Sequence, residues 1–162
     1  MSVHERFHYK TLGEVIAKCN KLGLSLPFAE DTKALSKPLQ VRNVTFPNRL
    51  GSAPMEGADS TVDGSPSAFT LNRYKKVAEG GAAIMWFEAI SVAEEGRSSM
   101  TQLLITKDNV DEFKKLTEAV KEAGLKKNGY EPYLIMQANH SGRYSNPGNK
   151  PFPLIMYHHP LL

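Results

Sequence analysis

The sequence predicts a parallel α/β fold in a chain of 162 residues. Three apolar runs, at 50–53, 82–89 and 133–139, have the length of strands, and segments with helical spacing lie between them. The second run is apolar almost throughout, which is typical of a strand buried on both faces of a parallel sheet. Strands that alternate with helices favour this architecture, and the pattern alone fits a barrel and an open sheet equally well.

A helix near the amino terminus is predicted over residues 11–22. Its apolar residues have helical spacing, and Thr11 and Glu14 are placed like the two members of a capping box. Gly23 follows directly and is expected to end the helix.

A small hairpin is predicted next. Residues 39–41 and 44–46 read as two short strands, and Asn43 between them is expected to take a positive φ angle. We interpret residues 1–47 as an arm that packs on the strands or closes over them.

Two further helices are expected between the strands. Ser65 is a candidate N-cap with Pro66 at the first helical position, and that helix is expected to end at Gly80. Asp108 is expected to cap a second helix that ends at Gly124.

The carboxyl-terminal segment 141–162 contains no predicted helix. It is rich in Pro, Gly and Asn before it becomes apolar, and residues 151–156 are expected to be an exposed, adhesive tail. We therefore expect the chain to end within a larger architecture, in the loop after the third strand.

Composition excludes several classes of protein. The 20 Lys and Arg residues and 17 Asp and Glu residues give a net charge of +3 and are scattered, so nucleic acid is not indicated as a partner. We expect no membrane span, and residues 1–10 lack the apolar region of a secretory signal. The single cysteine, Cys19, allows no intramolecular disulfide and no cysteine-based metal cage. The cytoplasm is the expected compartment.

Polar residues follow each predicted strand, where ligands of parallel α/β proteins usually bind. Glu56 comes after the first strand, Glu88 lies near the end of the second, and Gln137 lies near the end of the third. The amide of Gln137 can donate and accept, which suits a planar ligand with carbonyl and N–H groups. A structural role for Gln137, as a cap of the strand end or in a bond to a neighbouring loop, is an equal alternative.

Glu88 has the apolar surroundings in which a carboxylate needs a partner or an upward pKa shift. We favour a structural ion pair with an Arg or Lys over a functional role. His140 is interpreted as a structural loop residue. The adjacent His158 and His159 would point apart in extended backbone, so no metal site is predicted.

Several short motifs lie between residues 48 and 143, and the most specific is Gln-x-x-His-x-Gly-Arg at 137–143. Together they resemble the old yellow enzyme family. This family contains FMN-dependent NADH:flavin oxidoreductases and ene-reductases, including the 2,4-dienoyl-CoA reductase type. The matching residues are Asn48-Arg49, Ala53-Pro54-Met55, Tyr74, Ala78 to Ala82, Glu88-Ala89, Val92 and Gln137 to Arg143.

The resemblance implies the amino-terminal portion of a TIM (β/α)8 barrel, with about three βα units present. Residues 1–47 would form the arm and the hairpin at the barrel bottom, and residues 48–162 the first strands of the FMN-binding barrel. It implies FMN as cofactor, NADH or NADPH as reductant and a small α,β-unsaturated substrate. The implied cofactor-binding residues are Ala53, Pro54, Met55, Glu56, Ala89 and Gln137.

Two departures from the family pattern change the expected properties. Glu56 stands where the family commonly has a Thr or Cys that touches the flavin and tunes its potential. A complete barrel needs about 250 residues, and the family's substrate-binding His/Asn pair would lie beyond the chain end, so no catalytic residue is assigned. The alternative is an inactive barrel fragment that self-associates or pairs with a complementary half. We expect the isolated chain to bind FMN weakly or not at all.

Overall fold

The computed structural model describes residues 6–158 and residue 160. The chain divides into two compact units, Met1–Thr32 and Lys33–Leu162. None of the helices in the described residues is long and apolar enough to cross a bilayer.

The first unit is built on helix α1, Leu12–Lys21. Thr11 is its N-cap, as predicted, and the hydroxyl of Thr11 accepts the backbone N–H of Glu14 at 3.2 Å. The capping box forms only in part, because the Glu14 carboxylate accepts the N–H of Lys10, at 2.8 Å, instead of that of Thr11. The helix ends at Leu22, and Gly23 follows with a φ of 67°.

The second unit begins with a short 3-10 turn and the hairpin of β1 (Leu39–Val41) and β2 (Val44–Phe46). The two strands pair antiparallel, as predicted. The positive φ angle falls on Arg42, at 52°, and the expectation for Asn43 is wrong. Gln40 donates its amide to the carbonyl of Arg42 at 2.6 Å, which fixes that residue in the turn.

The hairpin belongs with the sheet that follows it. Phe46 packs edge-on against Tyr133 with ring centroids 4.8 Å apart, and the N–H of Arg49 donates to the carbonyl of Leu35 at 2.8 Å. These contacts explain why the compact unit starts at Lys33 and not at residue 48. The functional division at residues 47 and 48 stays a prediction.

A three-stranded parallel sheet in the order β3-β4-β5 forms the centre of the second unit. Its strands are β3 (Gly51–Ser52), β4 (Ile84–Ser91) and β5 (Tyr133–Asn139). The parallel α/β prediction is therefore confirmed, and no closed barrel is present in the described residues. β3 is shorter than the predicted 50–53, since Pro54 lacks the N–H that would continue the ladder.

β4 carries a bulge. Trp86 pairs with Ile135 and Ala89 with Gln137, so three steps along β4 match two along β5. Because one residue is added, the side chains of β4 change faces between Trp86 and Ala89. Strand β4 also extends to Ser91, two residues beyond its predicted end.

Helix α2, Ala68–Glu79, connects β3 to β4. Its N-cap is Ser67 and not Ser65, and Ser67 and Thr70 form a complete capping box. Ser65 is engaged elsewhere, since its hydroxyl donates to the carboxylate of Asp63 at 2.8 Å. The helix ends at Gly80, as predicted.

Helix α3, Val110–Asn128, connects β4 to β5. Asn109 is its N-cap instead of Asp108, and the Asn109 side chain bridges Thr106 and Leu104 at the helix start. The helix continues through Gly124 to Gly129, whose φ is 81°. The prediction of an end at Gly124 is wrong, because this glycine serves close packing: a Cβ atom there would lie 2.6 Å from Cδ of Pro132.

The hydrophobic core lies between the sheet and the two helices α2 and α3. Tyr74 stacks on Phe87 with ring centroids 4.2 Å apart. The other fully or nearly buried members are Ala78, Met85, Ile90, Leu103, Phe113, Leu116, Val120 and Ala123. Near the carboxyl terminus, Phe152, Leu154 and Met156 are exposed, in line with the expected apolar tail.

Candidate functional site

The loops that follow β3, β4 and β5 meet at one edge of the sheet, as predicted from the strand ends. The N–H of Ser60 donates to the carbonyl of Thr101 at 3.2 Å, which joins the first loop to the second. The N–H of Ser141 donates to the carbonyl of Gly96 at 2.8 Å, which joins the third loop to the second. The sequence-predicted site residues therefore share the carboxyl end of the sheet.

Ala89 and Gln137 are direct neighbours on β4 and β5. Strand alternation places both on the face opposite the helices, because Ile90 and Met136, the next and preceding residues, line a groove with Phe113 of α3. The half-buried Gln137 amide makes no hydrogen bond to another described residue. Of the two readings of Gln137, the bond to a neighbouring loop is not formed in the part of the chain that the structure describes.

The segment 53–56 leaves the ladder and lies exposed beyond the end of β3. Met55 is 78% exposed, and within the described chain neither Met55 nor Glu56 takes part in a backbone–backbone hydrogen bond. The carboxylate of Glu56 accepts the hydroxyl of Ser98, from the loop after β4, at 3.2 Å. This segment therefore presents backbone polar groups at the strand edge.

A charged cluster lies directly behind that segment. We call Asp59, Arg73, Tyr74 and Glu88 the Glu88 cluster. Glu88 is fully buried, and its Oε1 accepts from Nη2 of Arg73 at 2.6 Å and from the hydroxyl of Tyr74 at 3.1 Å. Its Oε2 accepts the backbone N–H of Gly57 at 3.0 Å. The predicted ion pair of Glu88 is thus confirmed, with Arg73 as the partner.

The outer half of the cluster involves Asp59. Arg73 binds the Asp59 carboxylate in a bidentate manner, at 2.9 and 3.1 Å, and the hydroxyl of Thr70 donates to it at 2.7 Å. Burial alone would raise the pKa of Asp59, but the bonds from Arg73 and Thr70 and the Arg73 charge hold this pKa below its usual value.

Tyr74 is the neutral member of the cluster. Its hydroxyl donates to the Glu88 carboxylate and accepts the Glu88 backbone N–H at 2.8 Å. Burial, reinforced by the negative charge of Glu88, raises the pKa of Tyr74 to about 12. Tyr74 therefore stays protonated and remains a donor at neutral pH.

Sequence reasoning missed two buried polar residues in the loop after β4. Gln102 is fully buried and donates its amide to the carbonyl of Ala89 at 3.1 Å. Arg97, 2% exposed, donates to the carbonyls of Gln102 at 2.9 Å and Val62 at 3.0 Å, and also to that of Met100. Both lie in a polar stretch with no periodicity, so no local signal distinguished them from solvated residues.

His140 has the structural role expected of it. Its Nδ1 accepts the N–H of Gly142 at 3.1 Å, and its ring lies against Gly96, where a Cβ atom would come within 2.7 Å. Among the described residues, no group of three or more His, Cys, Asp or Glu could hold a metal ion. His159 lies outside the described residues.

The sequence profile of the NADH:flavin oxidoreductase / NADH oxidase family matches residues 34–152. This chain belongs to that family. The resemblance to the old yellow enzyme family is thereby confirmed, and at the level of the family so is FMN with NADH or NADPH as reductant.

Individual relatives agree with this assignment. The NADPH dehydrogenase of Bacillus velezensis is 34% identical over 113 residues, which are 68% of this chain and 31% of that enzyme. The NADH oxidase of Thermoanaerobacter brockii is 30% identical over 111 residues, 67% of this chain and 16% of the relative. The old yellow enzyme structure from a Pichia species superposes with a TM-score of 0.60 at 25% identity, covering 70% of this chain and 28% of that one.

The match covers only part of each relative. The chain spans about a third of the first of these curated relatives, and under a fifth of the second. The α/β sheet of this chain therefore corresponds to only part of an old yellow enzyme.

Proposed function

We propose that this chain forms the flavin-facing portion of an FMN-dependent NAD(P)H oxidoreductase that reduces activated C=C bonds. In this proposal its three parallel strands are the first strands of a TIM barrel. The observation that carries it is the half-buried Gln137 amide, which has no partner among the described residues and lies beside Ala89 at the carboxyl end of the sheet.

The residues present fit a flavin ring. Gln137 would bond the pyrimidine portion of the ring through its donor and acceptor atoms. Ala89, which is 9% exposed, would contribute only a methyl group to the surface that lines the ring. The backbone groups of Ala53, Pro54 and Met55 would face the ring edge, since this segment lies exposed beside the strand ends.

Glu56 is the unusual member of the proposed site. Its carboxylate would disfavour negative charge on a nearby ligand, whereas a Thr or Cys would not. Ser98 binds that carboxylate in the structure and draws it toward the loop after β4. We propose that this bond limits how closely the charge approaches the flavin.

FMN, when bound, would supply the redox chemistry, in which a hydride derived from NADH or NADPH reaches the β-carbon of an α,β-unsaturated small molecule while the α-carbon gains a proton. The residues of this chain bind and orient. We assign no catalytic residue among them. A reducing cytoplasm remains the proposed compartment, which agrees with the free thiol of Cys19.

The first experiment is a visible absorbance spectrum of the purified chain, with its mass in solution. Titration with FMN comes next, monitored by the fluorescence of Trp86, the single tryptophan. We expect weak binding that Gln137→Ala weakens by about tenfold, the effect of losing one or two neutral hydrogen bonds. Gln40→Ala, in the hairpin, is the matched control and should bind like the wild type.

Equal affinity of the Gln137→Ala and wild-type chains would exclude Gln137 from the flavin site. Stoichiometric FMN in the purified protein would show that an assembled site exists, and alkene reduction should then be assayed with both NADH and NADPH.

A second proposal is a catalytically inactive barrel fragment that self-associates or pairs with a complementary half. Its support is an apolar groove of about 340 Å³ between β5 and α3, lined by Leu134 and Met136 on the strand and Phe113 and Leu116 on the helix. α2 and α3 together cover β4, whereas in the described chain only α3 borders the helix side of β5. One more helix would complete the layer.

Solution mass separates the two proposals. A monomer that binds FMN favours the first, while a colourless dimer or larger assembly favours the second. Met136→Lys on the groove should dissociate such an assembly, and Lys107→Glu, outside the groove, should not.

A further inference from the structure

The segment 53–56 is followed directly by a turn at residues 57–59, and hydrogen bonds and an ion pair hold both ends of this turn. Gly57 donates its N–H to the buried carboxylate of Glu88, and two residues later Asp59 binds Arg73. The fastening groups lie on α2 and β4, which are regular elements of the core. The exposed segment is therefore held between the end of β3 and a rigid support.

The turn is also held in an uncommon conformation. Ala58, between the two fastened residues, has a φ of 49°, in the left-handed region that residues with a Cβ atom rarely adopt. Such residues persist where the surroundings over-determine them, and they cluster at functional sites. Here the bonds of Gly57 and Asp59 supply that determination.

The backbone of Gly57 lies so close to the Arg73 guanidinium group that no side chain fits between them. A Cβ atom at this position would lie 2.1 Å from Nη2 and 2.5 Å from Cζ of Arg73. The backbone at residue 57 thus rests on the guanidinium group, and any side chain would push the two apart.

We infer that the Glu88 cluster is a positioning device that fixes the backbone of residues 53–56 for ligand binding, with Glu88 and Arg73 as its positioning residues. This inference rests on the proposed function for the identity of the ligand. The fixation itself concerns only this chain. Neither Glu88 nor Arg73 touches the ligand in this scheme, because both act through Gly57 and Asp59.

The test is amide hydrogen exchange and chemical shift, measured by NMR on the full chain without ligand. Glu88→Gln keeps the size of the side chain and removes its charge. The single amide oxygen of Gln cannot serve Gly57 while it also accepts from Arg73 and Tyr74, so we expect the Gly57 amide to lose protection by about tenfold or more. The amides of Met55 and Glu56 should shift as well, while those of β5 keep their exchange rates.

Two further variants keep the inference open to disproof. Asp59→Asn weakens the outer fastening, where the side chain is 19% exposed, and should produce smaller changes in the same residues if Glu88→Gln does not fold. Glu122→Gln, an exposed carboxylate on α3, is the control and should leave residues 53–57 unchanged. Unchanged shifts at Met55 and Glu56 in a folded Glu88→Gln or Asp59→Asn variant would overturn the inference.

FMN titration of the same variants distinguishes this inference from the proposed function. If the wild-type chain binds FMN, Glu88→Gln should weaken binding by about tenfold while the control does not. If the wild-type chain binds none, the proposed flavin site fails for the isolated chain. The amide measurements then still decide whether the Glu88 cluster fixes the segment.

Discussion

The two ends of the parallel sheet are fastened by different chemistry. At the amino-terminal end the neutral side chain of Asn48 donates to the carbonyl of Gly81 at 2.7 Å and to the hydroxyl of Tyr130 at 2.8 Å. Its oxygen accepts the N–H groups of Leu50 and Ala83, at 2.9 and 3.3 Å. At the carboxyl end the Glu88 cluster performs the same task with charges.

The two ends of the sheet also differ in how many of their buried polar atoms have hydrogen-bond partners. Arg97 Nε, Ser145 Oγ and Asn146 Oδ1 are buried without a hydrogen-bond partner in the described residues, and all three belong to loops at the carboxyl end. Buried polar atoms without partners are uncommon in proteins. The difference agrees with the proposed function, in which the amino-terminal end serves stability and the carboxyl end binds the ligand, as in (β/α)8 enzymes.

The largest effect should come from Glu88→Ala. This variant leaves the Gly57 N–H and the Tyr74 hydroxyl without their acceptor. Arg73 loses its buried carboxylate partner and retains only its ion pair with Asp59. We expect the free energy of unfolding to fall by about 3 kcal/mol, the lower end of the range for breaking a buried ion pair. Urea denaturation measures this, with Glu122→Ala as a control, and a loss below about 1 kcal/mol would contradict the importance of the cluster.

Asn48→Ala should cost somewhat less, about 2 kcal/mol, because it removes four hydrogen bonds while the Gly81 carbonyl keeps Tyr130 and the Ala83 N–H keeps the Leu50 carbonyl. Asn48→Asp is the matched variant, since it keeps the acceptor for Leu50 and Ala83 and loses the donor. If the two ends are independent, neither variant should shift the amides of Met55 and Glu56. Shifts of the Met55 and Glu56 amides in either Asn48 variant would show that the two ends of the sheet are not independent.

Alkaline unfolding tests Tyr74. Because its pKa rises from 10.0 to about 12 on folding, its contribution is complete below pH 10 and is lost between pH 10 and about 12. Near pH 11 the loss should be about 1 kcal/mol. The Tyr74→Phe variant, compared with wild type by urea denaturation across this range, should lack that part of the pH dependence.

The smallest effect is expected on the acid side, from Asp59. Its pKa is lowered by folding, so its contribution is present above about its ordinary value of 3.8 and is lost as the pH falls below that value. Asp59→Asn should flatten the acid limb of the stability curve in this range. An unchanged acid limb would show that the outer half of the cluster adds little to stability.

Much of the fold could be predicted from the sequence because apolar periodicity reports burial. β5 has the predicted bounds, and both connecting helices exist. The errors concern residues with two uses. Glycine often ends a helix, but Gly124 lies inside α3, where its missing side chain lets Pro132 pack closely against the helix. Only the folded chain brings Pro132 near this position.

The site was predictable where a residue conflicts with its surroundings. Glu88 in an apolar strand required a cation, although the sequence could not choose Arg73 from the 20 Lys and Arg residues. Arg97 and Gln102 produce no such conflict, because a polar loop looks the same whether it is buried or solvated. Their burial depends on contacts with Val62 and Ala89 that are distant in sequence.

The bulge in β4 decides which side chains of the strand face the helices and which face the opposite side. Met85 and Phe87 face the helices two residues apart, and Ile90 returns to that side after three residues because of the extra residue in the bulge. The bulge thereby keeps Ile90 in the core and places Ala89 on the opposite face. Deleting a single residue between Trp86 and Ala89 would remove the bulge and turn Ala89 toward the core in place of Ile90, whereas insertions in the loops beyond β4 would leave the alternation of the strand unchanged.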